Sequence, residues 1–176
     1  RIYIITGSYY AVVEGNLLKA SEHLKESIFL AEKYNDFVSL NIGRYWIACV
    51  YGFDCQFAEA IENFNQSLLL SEKANVMFSV SVMKSHISYF CYYSQGKIVQ
   101  AHETSGEASE IAEESGDMFS KGIALVSYGI SSYGLGFNDE SIEYLQKGIE
   151  CCEKANQIIW TAFANTYLGE IYYEID

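Results

Sequence analysis

The sequence predicts an all-α fold, an α-solenoid of about nine helices stacked as antiparallel pairs. Three observations predict it. Glu32, Glu72, Glu113 and Glu153 recur at spacings of 40, 41 and 40 residues, and three further sets keep the same spacing: Ala20, Ala60, Ala101 and Ser141; Gly15, Cys55, Gly96 and Gly136; Asn35, Asn75, Gly116 and Asn156. A fixed period in this range marks repeated units, each burying its apolar face against its neighbours. Proline is absent, where about nine would be usual in a chain this long; it breaks helix interiors by removing a donor and clashing with the preceding turn. Finally, Ile142, Leu145, Ile149 and Cys152, and likewise Ile61, Phe64, Leu68 and Ser71, fall at steps that put them on one helical face.

Taken in order, each unit divides into a helix A and a helix B. The A helices are expected over about 2–14, 37–53, 77–94, 118–134 and 158–175, and the B helices over about 17–34, 57–74, 98–115 and 138–155. The repeats then run over about 1–36, 37–76, 77–117 and 118–157, with a half repeat at 158–176, as a single array. The B helices carry charge opposite their apolar stripe, with Glu143–Lys147 and Glu150–Lys154 at the favourable i,i+4 spacing. The A helices at 77–94 and 118–134 have one formal charge each, Lys84 and Lys121, so they are expected to be buried on more than one side. Asn35, Asn75, Gly116 and Asn156 follow the B helices. Asn and Gly enter the left-handed region cheaply, so these residues are predicted to close the helices with positive φ. The third B helix has His102, Ser105 and Ser109 where its neighbours are apolar, and Gly106 within it. It is expected to be the loosest internal element. In the last A helix, Leu168, Ile171, Tyr172 and Ile175 form the face that a following helix would cover. The chain opens at Arg1 without an initiator Met and closes within a repeat, so a segment of a longer protein is expected.

Composition excludes several classes. Half the residues are hydrophobic and 15% are aromatic, which is incompatible with disorder. A net charge of −12 argues against nucleic acid, which needs Lys and Arg to displace counterions, and against an anionic membrane surface. The most apolar runs, 37–53 and 77–93, are interrupted by Asn41, Arg44, Lys84 and His86, so no membrane span is expected. The five cysteines form no metal-ligand spacing, which points to free thiols in a reducing cytoplasm.

Leu168-Gly169-Glu170-Ile171-Tyr172 matches an L-G-x-x-Y stretch, Ala60-x-x-x-Phe64 an A-x-x-x-F stretch, and Gly15-Asn16-Leu17-Leu18-Lys19-Ala20 a turn into a second helix. In these motifs the chain resembles the tetratricopeptide repeat family along its whole length, which implies a right-handed superhelix. Two features depart from the family: a period near 40 in place of 34, and no closing proline. Such a period also suits a HEAT or armadillo array; the small residues at 15, 20, 60, 96, 101, 136 and 169 favour the tetratricopeptide class, whose tight helix crossing needs them. Longer-period repeats of this kind resemble those of bacterial regulators carrying an ATPase, cyclase, kinase or DNA-binding domain.

No catalytic constellation stands out. His23, His86 and His102 lie on different repeats, Gly134-Leu135-Gly136 recurs as an inter-helix turn, and Cys151-Cys152 fits its helix's apolar stripe. Neither enzyme activity, a cofactor nor a metal is expected. The family resemblance implies a concave groove lined by A helices. By register its residues are Ile42, Tyr45 and Cys49; Met83, His86, Phe90 and Tyr93; and Ile123, Val126, Ile130 and Tyr133. An apolar, aromatic groove suits an amphipathic helix or apolar peptide, and no residues are present to clamp a peptide carboxylate. The expected function is protein–protein interaction, with a regulatory or sensor scaffold in a multidomain signalling protein as the alternative. End-to-end self-association through 158–176 is a further expectation.

Overall fold

In the computed structural model, which describes residues 1–175, the chain forms nine α-helices and no strand among the described residues. They are α1 (Ile2–Val12), α2 (Leu17–Tyr34), α3 (Phe37–Phe53), α4 (Phe57–Lys73), α5 (Met77–His86), α6 (Ile98–Ser115), α7 (Met118–Gly134), α8 (Asn138–Lys154) and α9 (Ile158–Ile175). They fall into two compact units, Arg1–Asn75 and Val76–Asp176.

The period of the sequence reappears as backbone conformation. Every positive φ lies in a turn between helices: Gly15 (63°), Cys55 (58°), Gly96 (72°) and Gly136 (81°) where A passes to B, and Asn35 (54°), Asn75 (54°), Gly116 (66°) and Asn156 (57°) where B passes to A. The four predicted B-to-A closures therefore all adopt the left-handed conformation. Beyond the turn the next helix begins with a cap in two matching places. Asp36 accepts from the Ser39 amide at 3.1 Å, and Asp117 from the Ser120 amide at 2.7 Å. The Ser39 hydroxyl also donates to Asp36, and these bonds hold the Asp36 carboxyl below its usual range.

In the B helices four aligned positions are buried in every copy. The first is Ala20, Ala60, Ala101 and Ser141; the second is Leu24, Phe64, Ser105 and Leu145; the third is Ser27, Ser67, Ala108 and Gly148; the fourth is Ala31, Ser71, Ala112 and Cys152. Three small residues surround one large one in α2, α4 and α8, and all four are small in α6, so the B helix lies close to the A helix before it. The A helices answer with small residues at the crossing. A Cβ on Gly7 would lie 2.6 Å from Leu24 Cγ, and one on Gly129 would lie 2.8 Å from Leu145 Cγ. Backbone this close lets hydroxyls reach across: Ser141 Oγ donates to the Gly129 carbonyl at 2.7 Å, and Ser88 Oγ to the Ala101 carbonyl at 2.7 Å.

Helix bounds follow the expected ones within two residues except in one A helix. Residues 77–94 do not form a single α-helix: α5 stops at His86, Ile87–Tyr92 form a π-helical stretch, and Tyr93–Gln95 a 3-10 turn. The cause is an added residue. From one left-handed turn residue to the next, the A segment Asn75 to Gly96 spans 96 − 75 = 21 positions, against 55 − 35 = 20 and 136 − 116 = 20 for its neighbours. A helix held at both ends absorbs one extra residue as a π bulge.

Each charged side chain of the inner A helices is tied to a B helix. Arg44 donates to Glu32 of α2 at 2.7 Å and to Asn63 of α4 at 3.3 Å. Lys84 pairs with Glu107 of α6 and Lys121 with Glu113 of α6, both at 2.6 Å. Asn41, which interrupts an apolar run, donates to Ser71 Oγ at 2.9 Å and accepts from Ser67 Oγ. These polar interruptions belong to helix–helix contacts. Of the expected α8 pairs, Glu143–Lys147 forms at 2.5 Å.

The face expected to lie open on α9 is only partly so. Leu168 and Ile171 are buried, because they point back with Trp160 and Ala164 toward the preceding helices; Tyr172 and Ile175 are exposed.

Candidate protein-interaction face

The eleven residues expected to line a groove divide by burial. In the first unit, Ile42 is 41% exposed, Tyr45 is half-buried and Cys49 is buried. In the second, Met83, His86, Ile123, Val126 and Ile130 are buried, while Phe90, Tyr93 and Tyr133 are half-buried. Val126 and Ile130 have no accessible surface, because α7 packs against α5, α6, α8 and α9. The reach to solvent thus lies with Ile42 and with the longer aromatic side chains.

Four residues join this set in the second unit: Tyr89, and Trp160, Phe163 and Tyr167 of α9. Tyr89 of the π-helical stretch stands 5.7 Å from Trp160 and 5.1 Å from Phe163, centroid to centroid. Trp160 also meets His86 at 5.3 Å, and Tyr167 meets Tyr93 at 6.0 Å and Tyr133 at 5.9 Å. Aromatic side chains from three A helices therefore share one face, with rings in edge and tilted arrangements that their quadrupoles favour. The sequence carried a signal for this: Trp160, Phe163 and Tyr167 follow helical steps, and the extra residue before Gly96 marks the A segment whose π-helical stretch contains Tyr89. Fold register alone did not reach across two repeats.

The face has a polar rim. The Tyr89 and Tyr93 rings stand edge-on to that of Tyr167, and burial pushes all three phenols up. Tyr133 Oη donates to Glu174 Oε1 at 2.8 Å; that hydrogen bond, with some burial, pushes its phenol up to about 12. Glu170 is exposed nearby and acts electrostatically on Tyr89, Tyr93 and Tyr133. Beneath, His86 is buried, its Nδ1–H donating to the Val82 carbonyl at 2.8 Å, and burial lowers its pKa to about 4. It is therefore neutral at pH 7.

On α6, α7 and α8 there is also a cleft of about 430 Å³, lined by Glu113, Lys121, Leu125, Tyr144, Lys147 and Cys151 among others. Its cations are paired, Lys121 with Glu113 and Lys147 with Glu143. No group of three or more His, Cys, Asp or Glu able to hold a metal occurs among the described residues. Among them, too, no helix is long and apolar enough to cross a membrane.

No protein-family model and no curated protein matches the chain. Solved structures do. The apo form of RapI matches with a TM-score of 0.77 at 16% identity, over 97% of this chain and 61% of that one. A STAND-class signal transduction ATPase with a tetratricopeptide repeat sensor, from Pyrococcus horikoshii, matches with a TM-score of 0.71 at 20% identity, over 94% of this chain and 24% of that one. TPR-like repeats of a putative kinesin light chain from Podospora anserina match with a TM-score of 0.68 at 17% identity, over 98% of this chain and 90% of that one. The chain spans about three fifths of RapI and a quarter of the ATPase. At these identities the likeness concerns the fold: the chain is an all-α, tetratricopeptide-like helical repeat.

Proposed function

We infer that this helical repeat is a non-catalytic module whose A-helix faces hold a segment of another protein, an amphipathic helix or apolar peptide. The observation that carries the reading is the half-buried aromatic surface of the second unit, Tyr89, Phe90, Tyr93, Tyr133, Phe163 and Tyr167. Large aromatic side chains with polar tips suit a surface that alternates between water and a partner. Ile42 offers an apolar contact in the first unit. The buried members of the expected groove, Cys49, Met83, His86, Ile123, Val126 and Ile130, hold those exposed groups in place.

The likeness to the sensor repeats of a STAND ATPase supports a regulatory variant of this reading, in which the partner is a neighbouring domain of a signalling protein. Five free thiols, four of them buried, support a reducing, cytoplasmic setting. The exposed apolar residues of α9 support association between copies through 158–176.

Fluorescence of Trp160 and Trp46 tests the binding reading. An amphipathic apolar helix is expected to change the emission and bind saturably, and a Tyr133→Ala, Phe163→Ala protein is expected to lose that response. Tight, salt-sensitive binding of an acidic C-terminal tail, with none of the apolar helix, would overturn it.

A further inference from the structure

We propose that the A-helix face of the second unit docks an amphipathic helix bearing arginine, its guanidinium groups seated against Tyr93, Tyr133 and Tyr167 and paired with Glu170 and Glu174. The proposal rests on reading that face as a protein-binding surface and adds the chemistry of what it holds.

Two carboxylates stand at the aromatic rim. Glu174 is drawn against the rings by the Tyr133 hydroxyl at 2.8 Å. Glu170, one helical turn earlier, is exposed and has no hydrogen-bond or ion-pair partner among the described residues. Neither carboxylate finds a cation on the A helices of this unit. Lys84 is held by Glu107 and Lys121 by Glu113, His86 is buried and neutral, and α9 contains no Lys, Arg or His.

A wholly apolar helix laid over the rings would strip water from both carboxylates and leave neither with a counter-charge, which is unfavourable. A helix that brings arginine removes that penalty. The guanidinium is planar and weakly hydrated, stacks on aromatic faces and pairs with carboxylates through a fork of donors. Lysine also meets aromatic faces and carboxylates, but as a compact, strongly hydrated charge it gives up more hydration and offers no fork of donors. The chain's net charge of −12 favours approach of the same partner from a distance.

The probe is a short synthetic helix of leucine, alanine and arginine, compared by calorimetry with the same helix carrying citrulline, a neutral isostere, for arginine. Wild type is expected to bind the arginine helix about tenfold or more tightly than the citrulline helix. In Glu170→Gln, Glu174→Gln that preference is expected to fall below about twofold. A Glu103→Gln, Glu110→Gln protein has the same net charge with its changes on α6, and is expected to keep the preference. Equal binding of both helices to wild type would overturn the arginine proposal and leave the binding surface standing. Loss of the preference in both variants alike would overturn it too, since bulk charge would explain it. If neither helix binds, the surface and the proposal fall together.

Discussion

Gly148 of α8 meets Val126 of α7 so closely that a Cβ on the glycine would lie 2.6 Å from Val126 Cγ2 and 3.0 Å from its amide nitrogen. Two more contacts of this kind, Gly122 against the Cys152 backbone and Gly129 against that of Leu145, bring the same two helices together. Gly148→Ala must therefore push backbone away from backbone. We expect a loss of about 1–3 kcal/mol, read as a lower urea midpoint. Gly169 of α9 is the control. Nothing lies within 4 Å of where its Cβ would be, so Gly169→Ala is expected to be stabilising by up to about 1 kcal/mol through helix propensity. Equal effects of the two changes would disprove the close-packing argument.

Much of this architecture was legible because it is local and repeated. Asn35, Asn75, Gly116 and Asn156 announced the left-handed turns by residue type and spacing, and the turns then set the helix bounds. The π bulge was written in the sequence as the single 41 among the spacings, but an insertion does not say how a helix absorbs it. The candidate face was less legible. Helical register separates the sides of one helix, yet it could not tell that Val126 and Ile130 would be enclosed by four neighbours while Tyr133, on the same helix, reaches Tyr167 and Glu174. Contacts between α5 and α9 depend on the angle between successive pairs, which no single repeat encodes.

Cys55 holds a φ of 58° at the position occupied by glycine in the other three A-to-B turns. A side chain costs roughly 1–2 kcal/mol in this conformation, partly offset in Cys55→Gly by the freer unfolded chain. The substitution is expected to stabilise the protein by about 0.5–1 kcal/mol. Gly136→Ala, the reverse change at φ 81°, is expected to cost about 1–2 kcal/mol. Thermal melts of the two proteins should move in opposite directions, and a destabilised Cys55→Gly would contradict the strain assigned to this turn.

The third B helix is expected to open most readily. Ser105 replaces the large residue of its siblings, and Gly106 sits within the helix with space for a Cβ, which would meet only the Tyr128 ring, at 3.5 Å. Amide exchange should be faster over 98–115 than over 57–74 and 138–155. Gly106→Ala is expected to add up to about 1 kcal/mol and slow exchange across the same helix. Uniform protection across the three helices would remove the basis for this ranking.

His86 makes stability depend on pH below neutrality. Its pKa is lowered from 6.5 to about 4 by burial, so between those values the unfolded chain binds a proton that the folded one excludes. Its contribution is present in full above about pH 6.5 and is lost as pH falls toward 4. The lost stability amounts to roughly 3 kcal/mol at the lower end. Urea unfolding at pH 7 and pH 5 should show the fall in wild type and a smaller one in His86→Gln. The Asp36 carboxyl, held below its usual range, acts in the same direction, but its contribution is lost only at more acidic pH. A pH profile identical in wild type and His86→Gln would exclude His86 as the source.

Leu168 and Ile171 are buried, so the adhesive part of α9 is the strip that includes Ile158 (80% exposed), Tyr172 and Tyr173 (87%). A groove of about 400 Å³ beside it is lined by Ile158, Thr161, Ala162, Asn165 and the end of α8. Burying an isoleucine is worth about 1.5–3 kcal/mol, so two copies meeting here would recover several such contributions against the entropy of association. We expect the protein to self-associate as its concentration rises, followed by light scattering during size exclusion. Ile158→Ser, Tyr173→Ser should shift the onset to higher concentration without altering the helical signal. Leu168→Ser should instead unfold the C-terminal helix. A wild type that stays monomeric at high concentration, or a double variant that associates as readily as wild type, would show that copies do not meet through this strip.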